Sequence, residues 1–207
     1  MLALLATLLV PAGAFPALPA AARDTQPDPT AHQVSTWKID VTHSELLFRI
    51  RHLVSKVTGT FTEWEGTILA DPADWKDGTV SVVIRSASIS TNNQRRDTHL
   101  RSPDFFDAET YPQLVFRSTA VSITGDQISI NGDLTIRGTT RPVVLRGTFN
   151  GIAPSGDGRD RVGFEVSTAI NRLDYGLTWN RAVEGGGMLL GDEVTIQVTV
   201  EAVRQVG

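Results

Sequence analysis

The chain has no cysteine in its 207 residues. That excludes a disulfide framework, a thiolate metal site and a lipid-modified N-terminal Cys. It also lacks basic excess: the net charge is −4. A general nucleic-acid binder is usually basic, so no nucleic-acid partner is expected. No G-x-S-x-G elbow and no phosphate-loop pattern occur, which removes two common secreted and nucleotide-dependent enzyme signatures. No two histidines share a helix at i,i+4 spacing, so no zinc-type motif is present and no metal or cofactor is expected. Nothing reads as a βαβ crossover. The apolar run Leu2 to Val10 is shorter than the roughly 20 residues a bilayer span needs.

That run, followed by Ala20-Ala21-Ala22, reads instead as a secretory signal peptide over 1–22, although no Lys or Arg precedes it. A periplasmic or secreted protein is therefore expected. Residues 23–35 are polar, carry Pro27 and Pro29 and show no periodicity, the composition of a disordered linker. One domain is expected over 36–205.

From Trp37 onward the chain alternates. Val80, Val82 and Ile84 form one face. Ile128, Ile130, Leu134 and Ile136 form another against Gln127, Ser129, Asn131, Asp133 and Thr135. Val162, Phe164, Val166 and Ile170 repeat the pattern, as do Val194, Ile196, Val198 and Val200. Period-two alternation means antiparallel strands with one dry and one wet face. Nine candidate runs lie at 37–41, 46–52, 57–70, 79–89, 113–123, 127–137, 141–152, 161–171 and 192–203. Short links between them predict an all-β up-and-down meander, closed into an eight-stranded antiparallel barrel because closure removes the edges.

Two excursions interrupt it, at 90–112 and 173–191. The first holds a helix start at Asn92 or Asn93, since an Asn side chain accepts from a free N–H of the first turn. Ser102-Pro103 should end that helix. Phe105 and Phe106 then have to pack at or inside the barrel, because two exposed adjacent rings would make a sticky patch.

A barrel of eight strands is just wide enough for its own side chains or for one small ligand. Gly59, Gly132, Gly147 and Ser118 lie in or beside the apolar stripes, which is read as room along the axis. The expected apolar channel is lined by Phe48, Ile50, Phe61, Phe116, Leu134, Phe149 and Phe164. His52, Arg96, His99, Leu100, Phe105, Phe106 and Trp179 complete the expected ligand-contacting set. Arg95, Arg96 and Arg101 read equally as phosphate ligands or as a solvated helix face with Arg96 paired to Asp97 or Asp104.

The run Arg96-Asp97-x-His99-Leu100-x-x-x-Asp104-Phe105-Phe106-Asp107, followed by Tyr111-Pro112, resembles the signature of the YceI-like family of periplasmic polyisoprenoid-binding proteins. Asp40-x-x-His43-Ser44, with Phe48 and His52 downstream, resembles it too. So does Asn171-Arg172-Leu173-Asp174-Tyr175-Gly176, with Tyr175 where the family often has Phe. The resemblance as a whole covers roughly 37–203, nearly the whole chain after the expected signal peptide and linker. The resemblance implies a lipocalin-like barrel holding a long isoprenoid chain as its ligand, a quinone or a polyprenyl phosphate. The expected function is to bind, sequester or carry that lipid. Alternatives are an enzyme acting on such a lipid, with His99 and Asp97 as acid and base, or an envelope stress or structural protein with a filled barrel. A homodimer and a passing contact with a membrane surface are left open.

Overall fold

Period-two stripes become barrel walls here. The computed structural model describes residues 33–184 and 186–205. The expected signal segment, and the expected linker as far as His32, lie outside the described residues. Ser35, assigned to the linker by composition, is already the first residue of β1 and pairs with Ala70.

The strands are β1 (Ser35–Ile39), β2 (Glu45–His52), β3 (Ser55–Phe61), β4 (Trp64–Asp71), β5 (Asp74–Arg85), β6 (Ile89–Ser90), β7 (Gln113–Thr124), β8 (Gln127–Ile136), β9 (Thr139–Pro154), β10 (Asp160–Asn171) and β11 (Leu190–Arg204). One α-helix, α1 (Gln94–Arg101), lies between β6 and β7. All pairings are antiparallel: β1 pairs with β4 and β2 with β3, then β4 with β5 and β3 with β6. From β5 the ladder runs through β7, β8, β9 and β10 to β11, which pairs back onto both β1 and β2. The eleven segments therefore form a closed barrel of eight staves, because β1/β2, β3/β4 and β5/β6 are each one stave with a break in it.

Two of the breaks show what turns the chain. Between β1 and β2, the Asp40 carboxylate accepts from the Thr42 amide at 3.0 Å and lies 2.9 Å from His43 Nδ1. The Thr42 hydroxyl, with His43, holds the Asp40 carboxyl down at about 2, and Asp40 raises His43 above its ordinary value. Ser44 then ties this turn to β11, donating to the Glu201 carbonyl and accepting from the Glu201 amide at 2.9 Å. The expected single run 57–70 breaks at Thr62-Glu63. There the Thr62 amide turns to the Ser88 carbonyl, and Glu63 accepts from the Arg85 amide.

The expected inner stripes point inward. Ile128, Ile130, Leu134 and Ile136 are buried, as are Val162, Phe164, Val166 and Ile170. The glycines make no room, contrary to the expectation. A Cβ on Gly59 would sit 2.3 Å from the Phe48 ring, and one on Gly132 would sit 2.5 Å from the Phe116 ring. Both gaps are already filled by an aromatic laid over the bare backbone. At Gly147 a Cβ would meet the Glu165 carbonyl oxygen at 1.8 Å, so the neighbouring strand itself takes the space. Ser118 fills a ladder irregularity, its Oγ accepting from the Val80 amide at 2.7 Å.

Phe149 is the one expected channel residue that lies elsewhere. It faces inward opposite Phe164, but at the barrel's other end, where it packs 5.4 Å from Trp75. Trp75 in turn lies 5.9 Å from the fully buried Trp37. These three rings plug that end of the barrel.

Candidate functional site: an apolar cavity with a polar mouth

Above the aromatic plug the barrel is hollow. A cavity of about 720 Å³ runs between the walls, within the range of about 300–1,000 Å³ usual for ligand sites. Phe48, Ile50, Phe61, Phe116, Leu134 and Phe164 line it, with Leu145, Val166 and Thr168. Val194, Ile196 and Val198 are inward on β11 yet only half-buried, because they face the void rather than other side chains. Five polar lining residues, Thr91, Asn93, Arg95, Arg96 and His99, come from the α1 insert and the stretch leading into it, while His52, Thr168 and Arg172 come from the barrel wall and its end, so polarity is densest where α1 closes on the barrel.

The insert is built around a buried carboxylate. Asn93 caps α1, accepting from the Arg96 amide at 3.0 Å. Asn92 before it takes the left-handed conformation, φ 58, which an Asn side chain tolerates. Asp97, 6% exposed, accepts from both the amide and the hydroxyl of Thr91. Arg96 donates to the same Thr91, from Nε to the hydroxyl at 2.7 Å and from Nη2 to the carbonyl at 3.0 Å. Arg96 is thus paired with Thr91, in place of the expected Asp97 or Asp104. Arg101 ties the helix end to the strand before it, donating to the carbonyls of Ala87 and Ile89. Of the three arginines, Arg95 alone is left without a hydrogen-bond or ion-pair partner among the described residues, and it is exposed at the mouth.

After α1 the chain folds back. The amides of Phe106 and Ala108 donate to the carbonyls of Leu100 and Arg101. This sends both phenylalanines inward, as their adjacency requires. Phe105 is 7% exposed, and Phe106 stands edge-on to Phe61 at 5.7 Å. Leu100 and His52 also line the cavity. His99 stands edge-on to Phe105 at 5.0 Å and to Trp179 at 4.9 Å, with its Nε2 2.8 Å from an Asp104 carboxylate oxygen. His99 and Asp97, suggested as acid and base, hold separate partners: His99 stands beside Asp104 and Asp97 accepts from Thr91.

Trp179 reaches this position through a residue that the sequence reading used only as a motif letter. Arg172 follows β10, is 2% exposed and staples the second excursion. Its guanidinium donates to the carbonyls of Leu177, Trp179 and Gly191 and to the Asp192 carboxylate. Burial pulls its pKa below the ordinary arginine value. Next to it the Tyr175 hydroxyl is buried with no hydrogen-bond partner among the described residues, and burial pushes its pKa up to about 12. The ring therefore works here as Phe would. Tyr175→Phe is expected to leave stability unchanged or raise it by about 1 kcal/mol, since it removes an unsatisfied hydroxyl. A urea-unfolding midpoint that falls would show a partner for the hydroxyl.

A third cluster, Asp40, His43 and Glu201, brings together oxygen and nitrogen atoms that could surround a cation. Arg161 already supplies positive charge there, 2.9 Å from Glu201 and 3.8 Å from Asp40.

Comparison with known proteins agrees with this architecture. Residues 37–202 match the YceI-like domain. A UPF0312 protein of Staphylococcus aureus (strain MSSA476) is 35% identical over 170 residues, covering 81% of this chain and 97% of that one. The crystal structure of a Campylobacter jejuni YceI protein superposes with a TM-score of 0.67 at 32% identity, over 76% of this chain and 91% of that chain. A polyisoprenoid binding domain from Saccharophagus degradans, implicated in plant cell wall breakdown, shares the fold with a TM-score of 0.63 at 14% identity, over 84% of this chain and all of that one. Closed barrel, capped insert and matched sequence lead to one assignment: the chain belongs to the YceI-like family.

Proposed function

We propose that the domain binds a long-chain isoprenoid lipid, with the tail in the barrel and the head group beside α1, and sequesters or carries it. The observation that carries this reading is the apolar cavity of about 720 Å³ inside a closed barrel. Each CH₂ moved from water into such a space contributes about 0.8 kcal/mol, so a tail alone supplies high affinity. The shared fold with a protein described as polyisoprenoid binding supports the ligand class. A periplasmic or secreted location belongs to the same proposal and rests on the pattern of residues 1–22. Solvent extraction of the purified protein followed by mass spectrometry tests it. Near-stoichiometric isoprenoid is expected, and a protein that neither retains nor takes up such lipids would overturn it.

The head group is read as neutral, as in a quinone. Arg96 and Arg101 each turn Nε and Nη2 to Thr91, Ala87 and Ile89, which leaves Arg95 as the one of the three with no partner among the described residues. A hydrogen bond to a charged group is worth roughly 1.5–3 kcal/mol, about tenfold or more in affinity. Arg95→Ala is expected to cost less than that, with binding insensitive to added salt, since no exposed charge pair is there to be screened. A tenfold, salt-dependent loss would assign a phosphate head group instead. Arg96→Ala is the poorer probe, because it removes the bonds that hold Thr91.

A further inference from the structure

We propose that the tip of the β2–β3 hairpin is a membrane-docking element, with Leu53 and Val54 entering the interfacial layer of an anionic phospholipid bilayer while Arg49, Arg51 and Lys56 meet its phosphates. The tip is a two-residue turn closed by the His52–Ser55 pair. Such turns favour Gly, Asn or Asp, because one or both positions need a positive φ. Leu53 has φ 52, a conformation a Leu side chain resists. Val54 is 105% exposed and Leu53 41%. The turn thus gives up easy backbone geometry and holds two aliphatic side chains in water. Met188, 46% exposed, joins them, because the Leu53 amide donates to the Leu189 carbonyl at 2.9 Å.

Charge selects the partner. From Leu46 to Thr62 the chain has no Asp or Glu, while Arg49, Arg51 and Lys56 are all exposed, in a protein of net charge −4. Arg51 and Lys56 are direct cross-strand partners. Like charges placed opposite one another destabilise a hairpin, and an anionic surface relieves that repulsion. Apolar side chains ringed by cations are the pattern of an interfacial anchor. The exposed acids facing this cluster are Asp192 and Glu193, in the irregular stretch of β11 opposite Arg51, and Asp192 is already shared with Arg172, so Arg49 and Lys56 carry most of the positive charge offered to a surface.

The placement links docking to the cavity. Ile50, His52 and Val57 of the same hairpin, and Leu189 beside it, line the cavity. A docked tip sets the opening against the bilayer, so a lipid tail passes between them without crossing water. This transfer role rests on the carrier reading above; the docking itself does not.

The test is co-sedimentation of the protein with vesicles of phosphatidylcholine alone or mixed with phosphatidylglycerol. At least tenfold tighter binding to the mixed vesicles is expected. The double substitution Leu53→Asn with Val54→Gly puts a side chain that tolerates φ 52 at the strained position and removes the exposed isopropyl group beside it, so the variant should fold and melt close to the native protein while binding mixed vesicles at least tenfold more weakly. Arg51→Glu with Lys56→Glu should abolish the preference for phosphatidylglycerol. Unchanged vesicle binding in the Asn-Gly variant, or equal binding to both vesicle types, would overturn the proposal. So would a native dimer that the Asn-Gly substitution dissociates, which would make the tip a self-association face. Isoprenoid uptake from detergent is measured in parallel. A native protein that docks on mixed vesicles but takes up no isoprenoid upholds the docking element and overturns the carrier reading alone.

Discussion

Thr168→Phe is expected to lower lipid binding by about a hundredfold while the barrel still folds. Thr168 lies on the inner face of β10 between Val166 and Ile170, opposite Ile196 on β11, and lines the cavity. A benzyl group there takes the volume of roughly four CH₂ groups of the ligand, and losing their burial costs about 3 kcal/mol, or about a hundredfold. The fold survives because the ring enters empty space. Overpacking a filled core costs about 1–3 kcal/mol, but that penalty needs neighbours to push against. Isoprenoid content of the purified variant, quantified by mass spectrometry beside a thermal melt, checks both halves. Full lipid content in a variant that melts normally would place the tail elsewhere. Gly147→Leu, which a reading of glycine as vacant space would favour, cannot serve: its Cβ already collides with the Glu165 backbone.

Arg172→Ala should be the most destabilising substitution near the mouth, at about 3–5 kcal/mol, the usual cost of breaking a buried charged network by removing one side. The carbonyls of Leu177, Trp179 and Gly191 would all lose their donor. Arg172→Lys should recover little, since one ammonium cannot replace a planar fork reaching several acceptors. Asp192→Ala should cost less than Arg172→Ala, because Asp192 is 55% exposed and the guanidinium keeps its three carbonyl acceptors. Urea unfolding gives the energies. Hydrogen exchange should show residues 177–183 losing protection first, with Trp179 released from His99. An Arg172→Ala variant within 1 kcal/mol of the native protein would mean that the excursion is held by something else.

The insert shows how far local chemistry reads directly. Asn93 as cap, Ser102 as helix end and the inward packing of Phe105 and Phe106 all follow from side chains acting within a few residues. The stripes on β8, β10 and β11 are equally direct, because a half-buried strand has to alternate. Phe149 shows where that logic stops. Period two assigns it to the inner face correctly, but not to a depth along the barrel axis. Depth depends on the stagger between strands, here including a register shift beside Phe164. The glycines fail as signals of space for a related reason. Whether a missing side chain leaves a hole depends on which ring or backbone crosses over it, and Phe48, Phe116 and Glu165 do so from other strands.

What the sequence determined by itself, then, is the all-β alternation, the two excursions and the capped helix, since each is a statement about neighbours in the chain. The tertiary structure decided how three staves could break and still close the barrel through β11. It also decided which partner each polar group found: Thr91 for Arg96 and Asp97, Asp104 for His99, and three carbonyls for Arg172. Most of these partners lie within seven residues of each other, but several acceptors compete at that range, and the way each excursion folds back on the barrel decides which one comes within about 3 Å of a buried donor.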